Sequence, residues 1–290
     1  MIFKKDIPLK ILKKKYCDEA SKFLKIENLE IHYKDEGEGM PIILLHGISA
    51  SLHCWDQWTV TLKKFYRIIR MDLPGFGITG PNAQNDYSIP YYCRFLLAFT
   101  KKLGLDSFML AGNSMGGEIS WNFANRYPEM VQKLILLDAS GYYKRKEDLP
   151  FTYKLAKNER INWLIRRLDV YWMNKLTLRQ IFYDKTRITP ALEKRYYELS
   201  LRPGNREAFV ARIKLVAEEP IRFDLTALKM PILILWGEKD TWVPVILAKR
   251  FYRDVPHATL IIYPEVGHVP MEEAPEKTIS DMLNFLKSDT

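Results

Sequence analysis

The chain has 290 residues, of which 47% are hydrophobic and 27% are charged, and its formal net charge is +9. This composition is typical of a soluble globular protein and excludes a disordered, collagenous or low-complexity chain. No apolar run reaches the ~18 residues that a membrane-spanning helix needs. The three cysteines, Cys17, Cys54 and Cys93, are widely spaced and form no CxxC pair. We therefore expect no disulfide framework and no structural metal site, and we expect a cytoplasmic protein.

The excess of basic residues lies in two parts of the chain, residues 1–25 and residues 141–225. Neither part carries a nucleic-acid recognition motif, so no nucleic-acid partner is expected. Residues 1–22 lack the apolar region and the cleavage site of a secretory signal. We interpret them as a basic, loosely attached N-terminal arm. A basic helix that lies at a membrane surface is the less favoured alternative.

Residues 23–140 and 226–290 alternate between strand-like and helix-like patterns. Phe23–Lys34 alternates like a hairpin strand. Short continuous apolar runs follow, as in strands that are buried on both faces: Ile42–Leu45, Arg67–Met71, Ser107–Ala111, Lys133–Leu137, Ile232–Trp236 and Thr259–Tyr263. Segments of helical period lie between them: Ser88–Leu103, Met115–Tyr127, Pro244–Val255 and Pro275–Lys287. The alternation predicts an α/β core with a mostly parallel sheet and helices on both faces.

Residues 141–225 interrupt this alternation. They contain no convincing strand pattern and are rich in Arg, Lys, Tyr and Trp. We predict a helical cap that lies over the carboxyl ends of the strands, where ligands bind in such sheets. A helical domain with an unrelated role is the alternative.

A nucleophile motif follows one of the predicted strands. Residues 112–116 read Gly-Asn-Ser-Met-Gly and fit G-x-S-x-G, with an apolar strand before them and a helical pattern after them. This strand–turn–helix context is the one that a nucleophile elbow requires. The sequence therefore predicts that Ser114 is a nucleophile.

A serine hydroxyl needs a base to remove its proton and an acid to orient that base. His268 follows the last predicted strand through a loop that contains Gly267, and Asp240 follows the strand before it. Both positions belong to the carboxyl edge of a parallel sheet, and the order Ser114, Asp240, His268 is the one expected for such a site. His257 precedes the last strand, so it is expected at the opposite edge.

The predicted site also needs two backbone N–H groups that stabilise an oxyanion. The residue after the nucleophile, Met115, is expected to supply one of them. The loop after the first parallel strand is expected to supply the other, from Ile48. His46 begins this loop, and we interpret it as a loop-shaping residue whose ring is hydrogen-bonded to backbone.

Five motifs occur in a fixed order over most of the chain: His46-Gly47, residues 72–77, residues 112–117, residues 237–240 and residues 267–270. In these motifs residues 23–286 resemble the α/β-hydrolase superfamily, and within it the helical-capped serine esterase-like group. The resemblance implies an α/β-hydrolase fold with an eight-stranded, mostly parallel sheet. It also implies a Ser-Asp-His triad and neither a metal nor an organic cofactor.

The function expected from these residues is hydrolysis of carboxylic esters with small to medium acyl chains, with a small-molecule ester as the partner. Ser114 argues against haloalkane dehalogenases and epoxide hydrolases of this fold, which carry an aspartate at the elbow. Carbon–carbon bond hydrolases share the Gly-Asn-Ser-Met-Gly-Gly elbow but usually have Trp where this chain has Val269. Basic residues of the predicted cap keep a vinylogous diketo acid open as the alternative substrate: Arg166, Arg167 and Arg179. A cofactor-free haloperoxidase or perhydrolase is a further alternative, and a non-catalytic ligand-binding protein is a distant one.

Overall fold

An eight-stranded sheet organises the computed structural model of the protein, which describes residues 5–142, 160, 163, 171–218, 225 and 227–288. The strands are β1 (Ser21–Ile26), β2 (Leu29–Glu36), β3 (Pro41–Leu45), β4 (Arg67–Met71), β5 (Phe108–Asn113), β6 (Val131–Leu137), β7 (Ile232–Gly237) and β8 (Thr259–Tyr263). Their order in the sheet is β1-β2-β4-β3-β5-β6-β7-β8. β2 pairs antiparallel with β1 and β4, whereas all other neighbours are parallel. The predicted fold is therefore confirmed.

Helices cover both faces of the sheet. The described helices are α1 (Leu9–Tyr16), α2 (Asp56–Leu62), α3 (Ile89–Lys102), α4 (Met115–Arg126), α5 (Tyr171–Ile181), α6 (Pro190–Ser200), α7 (Asn205–Glu218), α8 (Ile246–Asp254), α9 (Pro270–Glu273) and α10 (Pro275–Lys287). Buried side chains of α3, α4 and α8 form one apolar cluster with the sheet, and those of α2 and α10 form a second. The uninterrupted apolar strands of the sequence thus reflect a sheet that is covered on both sides. Among the described helices, none has the length and apolar character needed to cross a bilayer.

The described part of residues 141–225 contains α5, α6 and α7. The C-terminal end of α5 reaches the sheet edge, where the Ile181 carbonyl accepts a hydrogen bond from the His268 N–H at 2.6 Å. In α7, Arg212 is buried and donates to the Glu118 carboxylate of α4 at 2.8 Å. These helices therefore contact the carboxyl side of the sheet, while the division of the chain at residues 140 and 226 stays a prediction.

The N-terminal segment differs from the loosely attached arm expected from the sequence. Residues 9–16 form α1, and Leu12 is fully buried in a small cluster with Ile78 and Leu199. The Tyr16 hydroxyl donates to the Glu198 carboxylate of α6 at 2.6 Å. The residues that bury Leu12, and the partner of the Tyr16 hydroxyl, come from distant parts of the chain, so the local sequence does not show this packing.

Candidate active site

Ser114 lies in the tight turn between β5 and α4, at the carboxyl edge of the sheet. Its φ and ψ are 53° and −118°, a conformation that side chains other than glycine rarely adopt. The turn requires glycine on both sides. A Cβ on Gly112 would lie 2.3 Å from the Gly116 carbonyl carbon, and one on Gly116 would lie 2.2 Å from the Leu45 carbonyl oxygen. The sequence folds into this elbow because its glycines let the helix approach the strands so closely.

His268 and Asp240 are joined by a hydrogen bond. The Asp240 Oδ2 lies 2.7 Å from His268 Nδ1, and both side chains are buried. The Asp240 Oδ1 accepts hydrogen bonds from the backbone N–H groups of Trp242 at 2.7 Å and Val243 at 2.9 Å. These three contacts hold the carboxyl group in place, with one oxygen toward the imidazole.

Ser114 and His268 line one cavity beneath the helices α5–α7. The Asn113 side-chain amide donates hydrogen bonds to the His268 carbonyl at 3.0 Å and to the Leu137 carbonyl at 3.2 Å, so it ties the histidine loop to the elbow. His257, by contrast, is exposed and precedes β8 at the other edge of the sheet. The structure therefore brings the predicted residues Ser114, Asp240 and His268 to the same edge and leaves His257 away from it.

The two predicted oxyanion donors are Met115 and Ile48. Met115 is the first residue of α4, and Ile48 lines the cavity beside Gly47. Within the part of the chain that the structure describes, neither backbone N–H donates to a protein acceptor. A helix N-terminus leaves its first N–H groups free to bind an anion, so Met115 suits the predicted task.

His46 adopts the loop-shaping arrangement predicted for it. Its Nδ1 lies 2.7 Å from the Gly47 carbonyl, and its Nε2 accepts a hydrogen bond from the Leu73 N–H at 2.9 Å. Burial lowers the pKa of this imidazole. The ring is therefore a neutral structural element with both nitrogens in use.

The cavity has a volume of about 110 Å³. Its walls are mainly apolar, from Ile48, Ala50, Phe76, Met173, Leu178, Ile181, Leu199, Phe209, Trp242 and Val269. Polar residues of the helical segment also line it, namely Asn174, Thr177, Tyr196, Ser200, Asn205 and Arg206. Sequence reasoning missed these polar residues, because which face of a helix meets the cavity depends on how the helices pack.

The basic residues that line the cavity differ from those that the sequence suggested for binding an acidic substrate. Arg179 is exposed and does not line the cavity, whereas Arg206 is buried and does. Arg206 also donates to the Asp6 carboxylate at 2.7 Å. Arg166 and Arg167 lie outside the described residues.

The comparisons with known proteins show the family of the chain. A family model described as alpha/beta hydrolase fold matches residues 40–275. A bacterial membrane phospholipase A of known structure is 29% identical, with a TM-score of 0.79 over 96% of this chain and 90% of that one.

Two relatives are named for the reaction that they catalyse. A 2-hydroxy-6-oxononadienedioate/2-hydroxy-6-oxononatrienedioate hydrolase of Burkholderia vietnamiensis is 29% identical over 269 residues, which are 89% of this chain and 91% of that protein. A pimeloyl-[acyl-carrier protein] methyl ester esterase of Nitrosomonas europaea is 25% identical over 252 residues, which are 86% and 97%. The chain belongs to the alpha/beta hydrolase family and is a hydrolase.

Proposed function

We propose that this alpha/beta hydrolase is a serine esterase that cleaves carboxylic esters of small to medium acyl chain through an acyl-enzyme. The observation that carries the proposal is the 2.7 Å hydrogen bond between Asp240 and His268, at a cavity that the elbow residue Ser114 also lines. A nucleophile, a base and an orienting acid on one edge of the sheet are the groups that acyl transfer needs.

The chemistry follows from the position of each group. His268 takes the proton of the Ser114 hydroxyl as the oxygen attacks the acyl carbon, and the Met115 and Ile48 amides stabilise the tetrahedral oxyanion. His268 then protonates the leaving alcohol. Water repeats the sequence on the acyl-enzyme, and Asp240 stays ionised and keeps the Nδ1 proton on the imidazole.

The walls of the cavity support an ester with an apolar acyl group. Apolar side chains supply most of its wall surface, and such walls favour the burial of a hydrocarbon chain. The esterase and the phospholipase A among the similar proteins also support an ester substrate.

The test is hydrolysis of a series of p-nitrophenyl esters, together with labelling by a fluorophosphonate probe. We expect turnover of the shorter esters and labelling of the wild type, and neither activity nor labelling in Ser114→Ala. An inert wild type that the probe does not label would contradict the esterase proposal. Ligand binding that survives in Ser114→Ala without any turnover would favour a binding protein.

The second candidate is hydrolysis of a carbon–carbon bond in a vinylogous diketo acid. It is supported by the Burkholderia vietnamiensis relative and by the buried Arg206 in the cavity wall, whose guanidinium can hold a carboxylate. We expect one such acid, assayed beside the esters, to be the poorer substrate. If the acid is the better substrate, and if Arg206→Gln raises its KM at least tenfold while the KM of a neutral ester stays unchanged, the carbon–carbon assignment replaces the esterase.

A further inference from the structure

Asp138 is a second buried carboxyl beside the proposed acid of the triad. It directly follows β6, the strand next to β7, and it has a left-handed φ of 44°. The side chain is fully buried. Its Oδ1 accepts a hydrogen bond from the Gly237 N–H at 3.0 Å, whereas no donor among the described residues contacts its Oδ2. A buried carboxylate oxygen that no donor contacts costs free energy. In a protonated carboxyl group, by contrast, this oxygen carries the proton and needs no donor.

Asp240 and His268 both lie close to the Asp138 carboxyl group. One oxygen from each carboxyl group and a ring nitrogen of His268 all lie within 4.8 Å of one another. Two ionised carboxylates at such a distance in a buried site repel strongly, so one of them holds a proton.

The hydrogen bonds decide which carboxyl is neutral. Asp240 accepts from the Trp242 and Val243 N–H groups and from the His268 imidazole, and all three favour its charged form. Asp138 accepts from a single N–H. Burial raises the pKa of Asp138 well above its usual value, and the negative charge of Asp240 raises it further.

We propose that Asp138 is a positioning residue for the triad, which keeps its proton in the resting enzyme and donates a hydrogen bond from its carboxyl O–H to the Asp240 carboxylate. This proposal rests on the proposed function, because it assigns Asp138 a task within that site. The hydrogen bond holds Asp240 toward His268 and adds no second negative charge beneath the imidazole. The proton stays on Asp138 throughout the reaction.

The other carboxyl and hydroxyl groups near Asp138 have hydrogen-bond partners of their own. The titratable groups that face Asp138 are Asp240, His268, Glu273 and Tyr263. Glu273 accepts hydrogen bonds from the Gly267 and Asp184 N–H groups, and the Tyr263 hydroxyl donates to Asp281. Glu273 and Tyr263 therefore supply neither a cation nor a hydrogen-bond donor to the free oxygen of Asp138.

The matched variants are Asp138→Asn and Asp138→Leu, which have similar size. The asparagine keeps both an acceptor for Gly237 and a permanent donor for Asp240, whereas the leucine has neither. We expect Asp138→Asn to keep kcat within about threefold, and Asp138→Leu to lose about 10- to 100-fold in kcat at little changed KM, the size of one hydrogen bond to a charged group. The acidic limb of the kcat/KM profile should keep its midpoint in Asp138→Asn, since a neutral group replaces a neutral group. A lower midpoint in that variant would mean that wild-type Asp138 is ionised, and would overturn the proposal.

An infrared spectrum of the resting protein at neutral pH gives a readout without turnover. The carbonyl stretch of a protonated buried carboxyl should be present in the wild type and in Ser114→Ala, and one such band should be absent from Asp138→Asn. Identical bands in Asp138→Asn and wild type would overturn the proposal even if Asp138→Leu does not fold. This readout separates the two proposals, because an inert wild type that still shows the Asp138 band contradicts only the esterase assignment.

Discussion

The backbone of Ser114 is strained, and the strain has an identifiable function. A residue other than glycine with φ near 53° costs on the order of 1–3 kcal/mol, and the elbow holds it there through hydrogen bonds on both sides. The Ser114 N–H donates to the Leu137 carbonyl at 3.0 Å, and the Ser114 carbonyl accepts from the N–H groups of Glu118 and Ser140. The strained turn places the side chain in the cavity wall beyond the end of the strand.

Ser114 and His268 should act as one unit in catalysis. We expect Ser114→Ala and His268→Ala each to lower kcat by at least about 10⁴-fold, and the double variant to lose little more, because both act through one proton transfer. Steady-state kinetics on a p-nitrophenyl ester measures this. His257→Ala is the control and should retain near-normal turnover, since this residue is exposed at the other edge of the sheet. The assignment is wrong if His257→Ala abolishes activity and His268→Ala does not.

Asp240→Asn should fold normally and lose about 10⁴-fold in kcat, because the amide favours the wrong tautomer of the histidine. The asparagine oxygen can still accept from the Trp242 and Val243 N–H groups, so the loop should keep its shape. Circular dichroism and the urea midpoint check the fold, and kcat checks the chemistry. A kcat within tenfold of the wild type would show that Asp240 does not orient the base.

At the scale of secondary structure, the strands could be predicted because each is a short apolar run within one stretch of sequence. The predicted run Lys133–Leu137 lies within β6, and Thr259–Tyr263 coincides with β8. The packing of α1 onto the protein could not be predicted, because only one of its eight residues, Leu12, is buried, and lysines occupy half of the helix. Whether such a segment packs onto the protein depends on residues from distant parts of the chain, and the local pattern of apolar residues gives no information about them.

The packing of α1 can be tested with two neighbouring residues. Leu12 is fully buried against Ile78 and Leu199, whereas Ile11 is 55% exposed. Leu12→Ala should lower the free energy of unfolding by about 2–5 kcal/mol, the usual cost of truncating a buried leucine, while Ile11→Ala should change it by less than about 0.5 kcal/mol. Urea unfolding monitored by circular dichroism measures both. Equal effects of the two variants would mean that α1 does not pack as the structure has it.

At the scale of the whole molecule, the positions of Ser114, Asp240 and His268 could be predicted because each follows a recognisable strand. The fold brings the carboxyl ends of β5, β7 and β8 to one edge of the sheet, so residues that are far apart in the sequence lie close together in space. The role of Asp138 could not be predicted in this way. It also follows a strand, but only the buried geometry shows that its carboxyl faces Asp240 and has a single donor.

The molecule contains a second Ser–His–Asp arrangement, formed by Ser21, His32 and Asp72. His32 Nδ1 lies 2.7 Å from an Asp72 carboxylate oxygen, and His32 Nε2 lies 2.9 Å from the Ser21 hydroxyl. Burial lowers the pKa of His32, but the charge and hydrogen bond of Asp72 outweigh this and raise it from 6.5 to about 9. At neutral pH the imidazole is therefore protonated and cannot serve as a base. The pair is a buried structural ion pair that joins β2 to the loop after β4.

This ion pair makes the stability of the whole protein depend on pH. Because the pKa of His32 is higher in the folded than in the unfolded state, its contribution is fully present below pH 6.5 and is lost as the pH rises through about 9. The free energy of unfolding should therefore fall between pH 6.5 and 9 by up to about 3 kcal/mol. His32→Gln should be less stable at pH 6.5 and should lack most of this decline, while His257→Gln, at an exposed position, should behave as the wild type. Urea unfolding at several pH values measures the slope, and an equal decline in His32→Gln and in the wild type would show that the His32–Asp72 pair is not its source.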